Sequence, residues 1–102
     1  MPTDIPYNPT IGSFEWDEEK ARTNLLRHGV RFIDALEVFD DPFFLEVIDD
    51  RAEHDEERIR AFGFVEGRVF LVVYVLRGDI YRLISARKAT KDEEITYYSH
   101  HP

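Results

Sequence analysis

The bases of this sequence are gathered where phosphate chemistry could use them. Residues 58–91 carry Arg58, Arg60, Arg68, Arg77, Arg82, Arg87, Lys88 and Lys91 against only Glu66 and Asp79, in a chain whose net charge is −8. A guanidinium presents a planar fork that matches phosphate oxygens, and an ammonium adds a compact point charge. Cutting RNA without a metal needs the 2′-hydroxyl proton removed, the crowded phosphate stabilised and the departing 5′-oxygen protonated. Arginine and lysine suit the second task, and a histidine or lysine of tuned pKa suits the others. The same bases could instead pair with residues 1–57, where 16 acids face 5 bases, and charge alone favours neither account.

Arg58 and Arg60 share one face of an alternating stretch with Phe62 and Phe64. Bases beside rings suit an unpaired RNA strand, which stacks on them. The plainer account makes the rings core and puts the arginines at the wet end of a strand. Arg82, between Ile80 and Ile84, requires a carboxylate or a phosphate if its face is buried. Arg87 and Lys88 lie before the Thr90 start of a helix, where N–H groups and the dipole favour an anion; a solvated turn with two surface bases is the alternative. His28 precedes Gly29 at a helix end, where a cation is favoured with or without a catalytic role. Lys20 and Asn24 occupy the adjacent stripe of the same helix and could reach the same cleft. His54 stands among Asp50, Glu53, Asp55 and Glu56, whose fields would keep it charged, as a general acid or only as a loop residue. The candidates are thus Arg58, Arg82, Arg87 and Lys88 for phosphate, with His28, His54 and Lys20 as proton carriers. Tyr97 and Tyr98 are expected to pack the last helix.

These residues need elements to position them. Pro2, Pro6, Pro9 and Gly12 mark residues 1–12 as an arm or tail, residues 13–99 form the domain, and 100–102 are a short tail. A strand at Ser13–Trp16 precedes a helix over Glu18–His28, capped by Asp17 and closed by Gly29. Phe32, Ala35, Leu36 and Phe39 repeat as the buried face of a second helix, which Pro42 stops. Phe43–Ile48 reads as a strand and the acidic run Asp49–Glu57 as a loop, which could face a basic partner or shield the site. Arg58–Val65 alternates, Val69–Leu76 is apolar on both faces, and Arg77-Gly78-Asp79 turns the chain into Ile80–Ala86. Thr90 and Glu93 form a capping box that opens a last helix through Tyr98. The expected class is α+β, in the order β-α-α-β-β-β-(β)-α, with an antiparallel sheet, two helices before it and one after.

Composition removes several function classes. A chain of 102 residues with 43% apolar side chains builds one core without staples. It has no cysteine, which excludes disulfides, thiolate metal sites and cysteine nucleophiles and fits the cytoplasm. No apolar run reaches the roughly 20 residues of a membrane span, and the first residues lack the basic flank and apolar stretch of a secretory signal. No histidine pair has ligand spacing within one element, and neither a cofactor nor a metal is expected.

FEWDEEKARTNLLRHGVRF (Phe14–Phe32), ALEVFDDP (Ala35–Pro42) and LISARKAT (Leu83–Thr90), with the Asp–His loop before Arg58 and the RGD hairpin, closely resemble the BrnT family in order and spacing. The resemblance covers residues 14 to about 97, and Arg58 is favoured among the candidates because it matches a family position. It implies a fold like that of the RelE ribonuclease toxins and a type II toxin–antitoxin module whose toxin is an endoribonuclease that arrests translation. It further implies a partner like the BrnA ribbon-helix-helix antitoxins, a toxin–antitoxin heterotetramer, and operator DNA bound only through the antitoxin. Two positions depart from the family pattern. Arg31 stands where Ser is frequent, removing an N-cap, and Lys91-Asp92-Glu93-Glu94 stands where the family is usually basic. The second departure leaves an alternative: a non-catalytic module of the same fold that binds an antitoxin and acts in operon regulation.

Overall fold

Local signals set the first helix. The structure, a computed structural model, describes residues 13–49 and 56–100. In it the Asp17 carboxylate accepts the Glu19 N–H at 2.7 Å and the Lys20 N–H at 3.3 Å, opening α1 (Glu18–His28). Gly29 ends α1 in the left-handed region, φ 71°, and its N–H donates to the Leu25 carbonyl at 2.8 Å, which a residue with a Cβ does only under strain. Strand β1 (Ser13–Glu15) precedes α1.

The second helix departs from its expected form. It is a single turn, α2 (Phe32–Ala35), that tightens into a 3-10 turn over Leu36–Asp40. Three-residue spacing replaces the α period, so Val38 is fully buried while Leu36 is only partly so. Arg31 takes the N-cap position without a side-chain cap bond and reaches Asp34 instead, at 3.0 Å. Pro42 follows Asp41 and ends the segment.

Four strands follow: β2 (Leu45–Asp49), β3 (Arg58–Val65), β4 (Arg68–Arg77) and β5 (Ile80–Lys88). The β3–β4 connection is Glu66-Gly67, both at positive φ, and the β4–β5 connection is Gly78-Asp79. Sheet order is β1-β5-β4-β3-β2. Neighbours are antiparallel except β1, which runs parallel to β5, Phe14 beside Tyr81 and Glu15 beside Arg82. The sheet is thus mixed rather than wholly antiparallel: β1 joins one edge, and the chain crosses a face through α1 and α2 before entering the opposite edge as β2. The α+β class and the element order stand as expected.

Each face carries its own core. Under the helices, Phe14, Phe32, Ala35, Val38 and Phe39 pack on Ala61, Val72, Tyr74, Leu83 and Ala86. On the other face α3 (Lys91–Ser99) sets Tyr97 against Phe62, Val69, Leu71 and Ala89. Thr90 and Glu93 form the capping box that opens α3. Tyr97, as expected, packs: its hydroxyl donates to Asp41, and burial first, then Asp41, raise its pKa. Asp41 also accepts the Phe64 N–H at 2.8 Å and the Phe43 N–H at 2.9 Å, so one buried carboxylate ties α3, β3 and the 3-10 turn together.

Two close fits hold the helical layer. Among the described residues no strand pairs with β5 beyond Arg82 on its β1 side, and the Asn24 amide takes that place. It accepts the Ala86 N–H at 3.1 Å and donates to the carbonyls of Ala86 and Val30 at 2.8 and 3.0 Å. Asn24 is buried and structural. Gly63 lets the 3-10 turn touch β3, since a Cβ there would lie 2.6 Å from the Val38 carbonyl oxygen. Because that oxygen belongs to backbone, Gly63→Ala should destabilise by about 2 kcal/mol, read as a lower urea midpoint at unchanged slope; a midpoint equal to wild type would contradict the contact.

Candidate functional site

Strand alternation decides which candidates meet. On β3, Ala61, Gly63 and Val65 turn toward the helical layer, so Arg58, Arg60, Phe62 and Phe64 point the other way. On β5, Leu83 and Ala86 face the helices, which leaves Arg82, Ser85 and Arg87 on the face of Arg58 and Arg60. A register shift makes this possible: Tyr74 pairs with Leu83 but Val73 with Ser85, so Ile84 is an extra residue in β5.

The cross-strand rows give the spacing. Asp49 faces Arg58, Val75 faces Arg82, Arg82 faces Glu15, and the β3–β4 register carried on by one residue sets Arg58 beside Val75. The next row holds Val47, Arg60, Val73 and Ser85, and the one after it Leu45, Phe62, Leu71 and Arg87. At about 3.4 Å per residue and about 4.8 Å per strand, the four arginines occupy a field roughly 10 by 14 Å. Among them, Val75 is 2% exposed although it belongs to neither core cluster.

Partners differ within the field. Arg82 donates to Glu15 at 3.0 Å. Arg87 gives both terminal nitrogens to Glu93, at 2.8 and 2.9 Å, and one of them also reaches the Lys88 carbonyl at 3.2 Å. Arg58 and Arg60 have no ion-pair partner among the described residues. The Arg60 guanidinium lies 5.6 Å from the centre of the Phe62 ring, and its Nε is buried without a hydrogen-bond partner. Phe62 is core at 2% exposure, whereas Phe64, at 44%, stays open on this face.

The remaining candidates separate. Lys88 follows Arg87 within β5 rather than in a turn, so it points to the opposite face. It lines a hollow of about 430 Å³ with Arg31, Asp34, Arg68 and Phe70, apart from the arginine field. Lys20 and His28 line a smaller hollow of about 270 Å³ between α1 and β5, which Ser85 joins to the field. His54 and most of the acidic run lie outside the described residues. Among the described residues no group of three or more His, Asp or Glu is placed to hold a metal ion, and no helix is long and apolar enough to cross a membrane.

A field of four guanidinium groups flanked by hydroxyl, imidazole and ammonium groups can bind a polyanion and offer it proton carriers. Ser85 carried no sequence signal, because its aim depends on the extra residue at Ile84. The Glu15 and Glu93 pairings join positions 67 and 6 residues apart; only the second was within reach of local reasoning, through the capping box.

Glu93 is held strongly. The Arg87 hydrogen bond, helped by the Thr90 N–H and opposed by burial, draws its carboxyl from 4.5 down to about 2. A depressed carboxyl lends stability that is complete above about pH 4.5 and is lost as pH falls toward 2. Glu93→Gln should therefore be less stable by about 1.5 kcal/mol at pH 6, the gap closing between pH 4.5 and pH 2 in urea titrations of both proteins. A gap constant across that range would contradict the pairing.

A family model described as the ribonuclease toxin, BrnT, of type II toxin–antitoxin systems matches residues 16–93. No curated protein matches the chain.

Proposed function

The chain belongs to the BrnT family, the ribonuclease toxins of type II toxin–antitoxin systems, and on that premise we propose that it is a metal-independent endoribonuclease that cuts RNA on the arginine-bearing sheet face and so arrests translation. The observation that carries the reading is the common face of Arg58, Arg60, Arg82 and Arg87. Their positive charge suits the phosphate as it gains charge during attack by the 2′-hydroxyl. Arg58 and Arg60, which have no ion-pair partner among the described residues, supply donors directly, while Arg82 and Arg87 exchange a carboxylate for a phosphate. Lys20 and His28, beside Ser85, and His54 are the groups that can carry the protons. Lys88, across the sheet, has no part in this arrangement.

Family membership implies an antitoxin partner. We take it to be a ribbon-helix-helix protein of the BrnA kind, forming a heterotetramer with the toxin and contacting operator DNA on its behalf, in the cytoplasm.

A second reading has a specific observation behind it. Glu15 and Glu93 already occupy Arg82 and Arg87, as in a toxin that has kept its antitoxin contacts and lost its nuclease. Induced expression separates the two. The ribonuclease reading expects growth arrest, rescue by the neighbouring antitoxin gene, and in vitro cleavage in EDTA that leaves 2′,3′-cyclic phosphate ends. Arg58→Ala, checked for folding by its thermal transition, should lower cleavage roughly 100-fold. A strict need for Mg²⁺ would overturn the metal-free chemistry. Unaffected growth and intact RNA would favour the regulatory module.

A further inference from the structure

The hollow between α1 and β5 holds a base that proton transfer does not require. Besides Lys20 and His28 it is lined by Arg27, with the hydroxyls of Thr23 and Ser85. Lys20, Arg27 and His28 have no ion-pair partner among the described residues, whereas Arg22, Arg31, Arg77, Arg82 and Arg87 each have one. The single carboxylate in the lining, Glu19, is engaged by Arg22. In a chain of net charge −8, Lys20 and Arg27, both without an ion-pair partner among the described residues, give this concavity a local positive potential.

Arg27 sharpens the point. A guanidinium offers a fork of donors and no acceptor, so a second anion is what this side chain suits. The hollow is also continuous with the arginine field: Ser85 lines it, and Ser85 and Arg60 flank Val73 from either side on the sheet. A strand whose phosphate sits among Arg58, Arg82 and Arg87 passes Ser85 on its way to Arg27. About 270 Å³, at roughly 30 Å³ per water molecule, leaves room for a phosphodiester and part of its ribose.

We propose that this hollow is a second phosphate subsite, in which Arg27, Thr23 and Ser85 hold a backbone phosphate of single-stranded RNA next to the one on the arginine field. The proposal rests on the ribonuclease reading and extends its footprint around the edge of β5. Arg27 is exposed and outside both cores, so Arg27→Ala keeps the fold.

The test uses 2′-O-methyl RNA, which lacks the attacking hydroxyl. A fluorescent decamer is titrated by anisotropy across a series of salt concentrations, and a dinucleotide, with one phosphodiester, is measured by competition. Arg27→Ala should weaken decamer binding about 10-fold and flatten the logarithmic salt dependence by about 0.7, the loss of one phosphate contact on a single strand. Dinucleotide binding should stay within about twofold of wild type, and Arg27→Lys should restore most of the decamer affinity. Equal losses for the two ligands, or an unchanged salt slope, would overturn the subsite while leaving the arginine field intact. Wild-type protein that binds neither RNA would remove the ribonuclease reading, and the subsite with it.

Discussion

Val73 and Val75 face away from the helical layer; Val73 packs at the margin of the cluster under α3, and Val75 belongs to neither cluster. Apolar surface left in water is unfavourable, and the residues beside these valines are arginines: Arg60 next to Val73, Arg58 and Arg82 on either side of Val75. An arginine stem lies along apolar surface while its head reaches water. Stems that flank Val75 are placed to cover it with their methylenes, and their guanidinium groups remain the ones proposed to meet phosphate. Packing thus offers a reason for arginines on this face that is separate from any substrate.

Charge on this face is balanced by position. One row crosses all five strands as Asp49, Arg58, Val75, Arg82 and Glu15, with acids at both edges and bases inside. Glu93 supplies the counter-charge for Arg87 from the start of α3. Both carboxylates are only partly shielded, and a phosphate can compete with them. Glu93 has a second duty, accepting the Thr90 N–H at 2.8 Å, so the acidic start of α3 caps a helix and orients an arginine with the same group. The acids that make the chain look unsuited to RNA are, at these two places, the ones that fix its bases in position.

Wherever short-range chemistry decides, the sequence was readable. Asp17, Gly29, Thr90 and Glu93 cap helices as their types predict, Gly78-Asp79 turns the hairpin, and the alternation of Arg58–Val65 puts Arg58 and Arg60 on one face. Long-range pairings were not readable. Three residues of β1 carry no mark of running parallel to β5, 67 positions away. The tightening after Ala35 follows from contact with Gly63, which no window around Leu36 contains. The opposite aims of Arg87 and Lys88 depended on β5 running through both, two residues beyond the end that its apolar pattern suggested. Phe62 and Phe64, alike in sequence, part company because α3 covers one and not the other.

Asn24 joins α1 to β5 through both backbone groups of Ala86 and fastens the Val30 carbonyl as well. A side-chain amide splices helix to strand, and so the two walls of the smaller hollow are fastened to each other directly. Preorganisation of this kind spares a guest most of the ordering cost of binding, leaving selectivity to shape and charge.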